Sequence, residues 1–283
     1  MTSKINQDLP RSKQNIEFNN SQDIEFSIID WFECDMNNEK QKYGYWLNKE
    51  HDKSYKLFAF GVTKEGHSVC LRINNYHPYF FLQIPENFSD KQIEDFKEGI
   101  INEDYEEVEK NDFQDEEDEY VKNEMKYQST YYKTSICKED CSTTENQIFW
   151  SFMNGKLFKF FKLSMFSKNA YKFMQKYFQK AVDLNITGYN GRPIKYKQFE
   201  SDLDIQLRFF HDSKIKPSHW IKIPSELYEK VNYQSRCQIN IECDWRNIVP
   251  VEKTEIPPLI VASFDIEADS SHGDFPQPLK DCK

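Results

Sequence analysis

Along this chain the spacing of apolar positions shifts from two to about 3.6 residues and back, and each shift marks an expected element. Residues 1–23 are polar and aperiodic, which predicts a flexible leader. From Ile24 the pattern is strand-like. Residues 24–35 (IEFSIIDWFECD) and 43–49 (YGYWLNK) cluster β-formers, and 54–75 predict two strands turning at Lys64-Glu65-Gly66. Residues 77–85 (HPYFFLQIP) add a strand ended by Pro85. A helix follows, with Ser89 as N-cap and Ile93, Phe96, Ile100 and Ile101 on one side.

Residues 102–147 lack periodicity and read as a surface insertion or loosely ordered connector. Residues 147–166 predict a hairpin turning at Asn154-Gly155, a type I′ signal. Ser167 then caps a helix over 168–182, with Ala170, Phe173, Met174, Tyr177, Phe178 and Ala181 as its core stripe. A short helix from Ser201, a strand at 219–224 and a half-buried strand at 236–245 come next. In the latter, Cys237, Ile239, Ile241 and Cys243 alternate with Gln238, Asn240 and Glu242. Residues 248–258 contain three prolines and read as a linker at a domain boundary. Leu259 to Val261 form an apolar run, expected of a strand buried on both faces.

Aromatics make up 16% of the 283 residues, so the core is expected to be strongly aromatic. No apolar run approaches the roughly 20 residues of a membrane span. The first twenty residues lack a signal-peptide core. Seven scattered cysteines then read as free thiols in a reducing compartment. Cys137 and Cys141 form a C-x3-C pair, but no second pair stands at zinc-site distance.

Net charge is −10, which by itself disfavours a nucleic-acid partner, but its distribution alters that reading. Between Glu103 and Glu119 lie eleven acidic residues and one lysine, leaving the remainder neutral. Between Lys156 and Lys197 ten basic residues face one acidic, Asp183. Lys168, Lys172, Lys176 and Lys180 recur at every fourth position, so a helix would align them. With Arg192 they are candidate phosphate contacts; the plainer alternative is a solvated lysine face. The acidic run likewise reads as a solvated loop.

The candidate chemistry is Asp265-x-Glu267. In a strand, residues i and i+2 share a face, so two carboxylates would stand together with Phe264 and Ile266 opposite. Like charges so close call for a cation, and hard oxygen ligands suit Mg²⁺ or Mn²⁺. A two-metal phosphoryl-transfer site needs further carboxylates.

The sequence VASFDIEADSSHGDFPQP, residues 261–278, resembles the first exonuclease motif of family B DNA polymerases, the eukaryotic delta type and its large-DNA-virus relatives in particular. Upstream, residues 57–85 resemble the family's N-terminal sheet, 199–224 its L-R-F-x-x-D and W-I segment, and 237–250 the strand leading into the exonuclease domain. Together these matches cover most of residues 45–276, in the family's order.

The resemblance implies an α+β fold: a mixed, largely antiparallel N-terminal domain over 24–256, then the start of a ribonuclease H-like 3′-5′ exonuclease domain over 257–283. It implies Asp265 and Glu267 as exonuclease metal ligands binding Mg²⁺ or Mn²⁺. It further implies a DNA template and primer as substrate, and a complementary C-terminal polymerase segment as partner. A nuclear or cytoplasmic viral replication site follows. Residues 186–190 (ITGYN) superficially echo the second exonuclease motif, but precede the first and lack its F-D, so they read as a decoy. Two carboxylates cannot complete a two-metal site, so the chain alone is expected to be inactive. The competing class is a non-catalytic module that binds nucleic acid or a polymerase.

Overall fold

The computed structural model describes residues 22–37, 53–102, 135–149, 153–189, 191–231 and 235–265. Strand formers at the chain's start and end come together in one sheet. Strand β1 (Ile24–Asn37) pairs antiparallel with β2 (Lys53–Thr63), which turns at Lys64-Glu65-Gly66 into β3 (Ser68–Asn74). Gly66 closes that turn at φ 89°, a conformation open to glycine, and donates its N–H to the Thr63 carbonyl. The late strands β8 (Trp220–Ile223), β9 (Tyr228–Lys230), β10 (Ile239–Asp244) and β11 (Val249–Val251) complete a seven-stranded sheet. Its order is β11-β8-β1-β2-β3-β10-β9, antiparallel except where β10 joins β3.

The remaining strands make a second unit. Strand β4 (Tyr79–Gln83), helix α1 (Asp90–Asn102), strands β5 (Ser142–Gln147) and β6 (Leu157–Ser164), helix α2 (Lys168–Tyr177) and strand β7 (Gln198–Phe199) follow in turn. The sheet order β5-β6-β4-β7, antiparallel throughout, is that of a split β-α-β-β-α-β unit. Both helices cover one face. Phe80 of β4 meets Tyr171 of α2 edge-on at 5.6 Å, and Phe96 of α1 meets Phe161 of β6 at 5.9 Å. The two units share one hydrophobic core.

Local chemistry sets the helix starts. Ser89 and Gln92 form a reciprocal capping pair before α1, the Ser89 N–H donating to Gln92 Oε1 at 2.9 Å. Ser167 Oγ accepts the Ala170 N–H ahead of α2, and Asp204 caps helix α3 (Ile205–Ser213) through the Leu207 N–H. That last start lies four residues after the expected one at Ser201, because Asp204 is the residue whose side chain satisfies the helix N–H groups.

Other expectations shift. The connector over 102–147 is partly ordered: a 3-10 turn at Lys138–Asp140 leads into β5, while 103–134 lie outside the described residues. The hairpin turns at Asn154 and Gly155, both at positive φ, but its first strand is Ser142–Gln147 rather than a strand beginning at Gln147. As an edge strand with five of six side chains exposed, β5 pairs through its backbone and carries no apolar alternation to read. The linker begins later than expected, since Val249–Val251 pair with β8. Gln22 and Asp23, assigned to the leader, are held by the Tyr228 hydroxyl and the Ser225 N–H. Residues 43–49 lie outside the described residues. Among the described residues no helix is long and apolar enough to cross a membrane.

At Gly61 the β1 and β2 backbones meet so closely that a Cβ would collide with the Ser27 carbonyl oxygen and the Phe26 ring. Gly61→Ala is expected to destabilise the fold by about 1–3 kcal/mol, read as a lower urea midpoint at unchanged slope.

Candidate nucleic-acid interface and carboxylate segment

The lysine row divides once folded. Lys168 sits in the first turn of α2 and pairs with Glu33 of β1, which also accepts the Tyr55 hydroxyl at 2.5 Å. Asp35, two residues on, accepts the Lys168 N–H at 2.7 Å and the Asn169 N–H at 3.0 Å. Burial and the Lys172 charge lower the Lys168 pKa, so this lysine serves the sheet-to-helix joint. Lys172 and Lys176 are exposed one turn apart on the solvent side.

Lys180 leaves the row. Helix α2 stops at Tyr177, and Lys180 stands exposed in the turn that follows. The helix cannot run on to 182 because Val182 is drawn into a β-bridge with Ile194, the two exchanging N–H and carbonyl at 2.8 and 2.9 Å. Ala181, placed in the core stripe, is exposed for the same reason, whereas Phe178 and Val182 are buried. Arg192 lies on the loop after α2, exposed beside Lys195 and Lys197. The solvent-facing cations of α2 and the loop after it therefore include Lys172, Lys176, Lys180 and Arg192, together with Lys195 and Lys197, while Lys168 is set apart.

Sequence reasoning missed a cleft of about 1060 Å³ between the helix-free face of the small sheet and α3. Tyr79 and Phe81 of β4, Phe160 of β6 and Phe199 of β7 line it. Arg208 of α3 lies over Tyr79 at 4.5 Å and is held by Glu200 at 2.7 Å. Asp212 accepts the hydroxyls of Tyr76 and Tyr79 at 2.9 and 3.0 Å. The signal was present in the alternate rings of YFF and FKF, but one-sided burial cannot be read from two apolar faces.

A smaller hollow adjoins the cleft, lined in part by His77, Asp140 and Lys162. Burial pushes the Asp140 carboxyl up, but the His77 hydrogen bond and the Lys162 charge at 3.1 Å outweigh it and hold the pKa at about 2. Cys137, 3.3 Å from His77 Nδ1, is buried and its thiol pushed up to about 12, so it is not a ready thiolate. The described cysteines are free, and among the described residues no three His, Cys, Asp or Glu side chains gather as a metal site.

The carboxylate segment lies beyond β11. Lys253 pairs with Glu25, and the Trp220 indole donates to the Glu255 carbonyl at 2.7 Å, so the chain stays on the large sheet up to that point. From Ile256 it forms no strand or helix, the Leu259 N–H donates to the Pro257 carbonyl at 2.8 Å, and Leu259, Ile260, Val261 and Phe264 are exposed. This departs from the expected strand buried on both faces. Such burial needs a pairing strand at each edge and a layer on each side, and the described residues supply neither to this segment. Asp265 is exposed at its end; Glu267 lies outside the described residues. As a hard oxygen donor Asp265 suits Mg²⁺ or Mn²⁺, but one carboxylate does not hold such an ion.

A family model described as DNA polymerase family B, exonuclease domain, matches residues 196–282. The match spans β7 to β11 as well as the carboxylate segment, so part of it is woven into the large sheet. The DNA polymerase of Pyramimonas orientalis virus is 28% identical over 272 residues, covering 95% of this chain and 19% of its own length. The DNA polymerase delta catalytic subunit of Oryza sativa subsp. japonica is 23% identical over 230 residues, covering 80% of this chain and 19% of its own. A solved family B DNA polymerase from Pyrobaculum calidifontis overlaps 83% of this chain and 21% of its own at TM-score 0.49 and 14% identity.

Over residues 196–282 the chain is thus similar to the exonuclease domain of family B DNA polymerases. The chain is similar to viral and delta-type DNA polymerases and spans about a fifth of the length of these curated relatives.

Asp140 carries a pH signature. Its lowered pKa contributes stability that is fully present above the unfolded value of about 4 and is lost as pH falls toward about 2. Thermal melts of the chain are expected to fall more steeply than those of Asp140→Asn across that window. Lys168→Gln is expected to cost about 1 kcal/mol, whereas Lys172→Gln and Lys176→Gln each stay within about 0.5 kcal/mol in urea titrations.

Proposed function

We propose that this chain is the N-terminal part of a replicative DNA polymerase that copies a DNA template and proofreads with a metal-dependent 3′-5′ exonuclease. The observation that carries the reading is the exonuclease-domain match over residues 196–282, which contains Asp265 and Glu267. On this reading residues 24–256 form the N-terminal domain and residues 257–283 open the exonuclease domain.

Asp265 and Glu267 would each bring a carboxylate to Mg²⁺ or Mn²⁺. When bound, such ions polarise the scissile phosphate and activate water. The remaining carboxylates come from a complementary C-terminal polymerase segment. The chain's own part is to carry the two ligands out from a rigid sheet: the Trp220, Lys253 and Glu25 contacts fix the path as far as Glu255. Lys172, Lys176, Lys180 and Arg192 offer the DNA backbone a positive surface on the α2 side, with Lys168 turned inward at its edge. Such contacts give sequence-independent, salt-sensitive affinity. The site of action is the nucleus or a cytoplasmic viral replication site.

In an enzyme completed by its C-terminal segment, Asp265→Ala is expected to lower Mg²⁺-dependent 3′-5′ digestion at least about 100-fold, with primer extension retained. The 283-residue chain alone is expected to show neither activity. Metal-dependent cleavage by that chain, abolished by Asp265→Ala, would contradict the division of ligands. Joint replacement of Lys172, Lys176 and Lys180 by Gln is expected to flatten the salt dependence of single-strand binding by about 2 in log-log slope. An unchanged slope returns these lysines to simple solvation.

A further inference from the structure

Among the described residues four strands end the two sheets, and three of them discourage a further strand. Strand β11 carries Pro250 at its middle, β9 is three residues long and β7 only two. Strand β5 is different. It runs for six residues in unbroken register with β6, from Ser142 opposite Lys162 to Gln147 opposite Leu157. Its one sheet neighbour is β6, so every second residue of β5 turns its N–H and carbonyl away from the sheet. Among the described residues no backbone group pairs with that outer edge. The usual guards are missing as well: the strand reads Ser, Thr, Thr, Glu, Asn, Gln, with no lysine, proline or bulge.

A groove accompanies this edge on the α1 side of the sheet. Helix α1 lies over Phe161 of β6, and about 370 Å³ remains open beside β5, between Asp90, Ile93 and Glu94 on the helix and Thr143 and Glu145 on the strand. It continues toward Pro85, Phe88 and Leu157 as a second hollow of about 230 Å³, where Leu157 is 55% exposed. The floor is thus partly apolar and the rim acidic. Two of the nearby lysines are already matched, Lys97 by Glu94 at 2.7 Å and Lys156 by Glu86. Asp90 and Glu145 remain, against Lys159. The sequence adds charge of the same sign: the run of eleven acidic residues and one lysine begins at Glu103, the residue after α1 ends.

An acidic field of this kind repels a phosphate backbone and attracts a cationic partner. Lysine and arginine side chains match the groove in both parts, with an apolar stem for Ile93 and Leu157 and a charged head for Asp90 and Glu145. An extended chain supplies the missing backbone partner, and its alternate side chains fall on the groove side.

We propose that the outer edge of β5 is a docking edge for an extended basic segment of a partner protein, which adds to the small sheet as a fifth strand and lays alternate lysine or arginine side chains in the groove beside α1. The site rests neither on the exonuclease match nor on the α2 lysines.

The test uses the 283-residue chain and fluorescein-labelled octapeptides of alternating lysine and threonine, read by anisotropy. The peptide is expected to bind at least about tenfold more tightly than its glutamate-threonine counterpart. Two derivatives are N-methylated at alternate residues, on the lysines in one and on the threonines in the other. One is expected to bind and the other to fail, since only one row of N–H groups faces β5. Joint Asp90→Asn and Glu145→Gln is expected to weaken binding about threefold or more at an unchanged melting temperature. Hydrogen exchange is expected to slow at the amides of residues 142–147 when peptide is added. The proposal is overturned if both N-methylated peptides bind as the parent does, which leaves charge attraction alone, or if the slowed amides lie wholly outside 142–147. It also fails if no peptide binds, if the Asp90 and Glu145 double variant binds unchanged, or if an oligothymidylate displaces the peptide. A free chain that sediments as a dimer and is dissociated by the peptide makes a second copy the occupant, and equally overturns it.

Discussion

The structure depends on a short piece of charge chemistry between the end of β1 and the start of α2. Asp35 takes two N–H groups of the helix's first turn, where the helix dipole favours an anion, and Glu33 takes the Lys168 ammonium and the Tyr55 hydroxyl. The Tyr55 N–H to Phe166 carbonyl bond at 2.7 Å lies alongside. Together they fix the large sheet to the helix layer of the small one. Everything presented to solvent on α2, and the angle at which the small sheet faces α3, follows from that joint.

With the joint set, the two units divide the surface. The large sheet gathers strands from both ends of the described chain, and its last strand releases the segment that carries Asp265. The small sheet spends one aromatic face on the core and leaves the other open beneath α3. Cations are distributed with the same economy: Arg208 and Lys162 are held by Glu200 and Asp140 beside the cleft, whereas Lys172 and Lys176 stand free of the sheet. The net charge of −10 says nothing of this arrangement.

Strands that bury one face were legible in the sequence. In β10, Ile239, Ile241 and Cys243 are buried, and their alternation with polar residues was plain. The turns at Gly66 and at Asn154-Gly155 were legible because each demands a left-handed backbone. Strand β5 was not, since an edge strand of Ser, Thr, Glu, Asn and Gln is defined by its partner's backbone. The extent of α2 was also obscure: helical spacing continued to Val182, but the bridge to Ile194 ended the helix first.

The D-x-E pair and the basic block were equally visible as residue types, and there the sequence stopped. Four lysines at equal spacing could not show that Lys168 faces a partly buried carboxylate, because its partner Glu33 is 135 residues away along the chain. Nor could an apolar run at Leu259–Val261 show whether anything covers it. Local pattern determined which segments are strands, helices and turns, and which residue types stand ready for metal or phosphate. Tertiary structure alone decided which charges are consumed and which ring faces stay open. Those outcomes depend on contacts between residues far apart in the chain, and such contacts leave no local period to read.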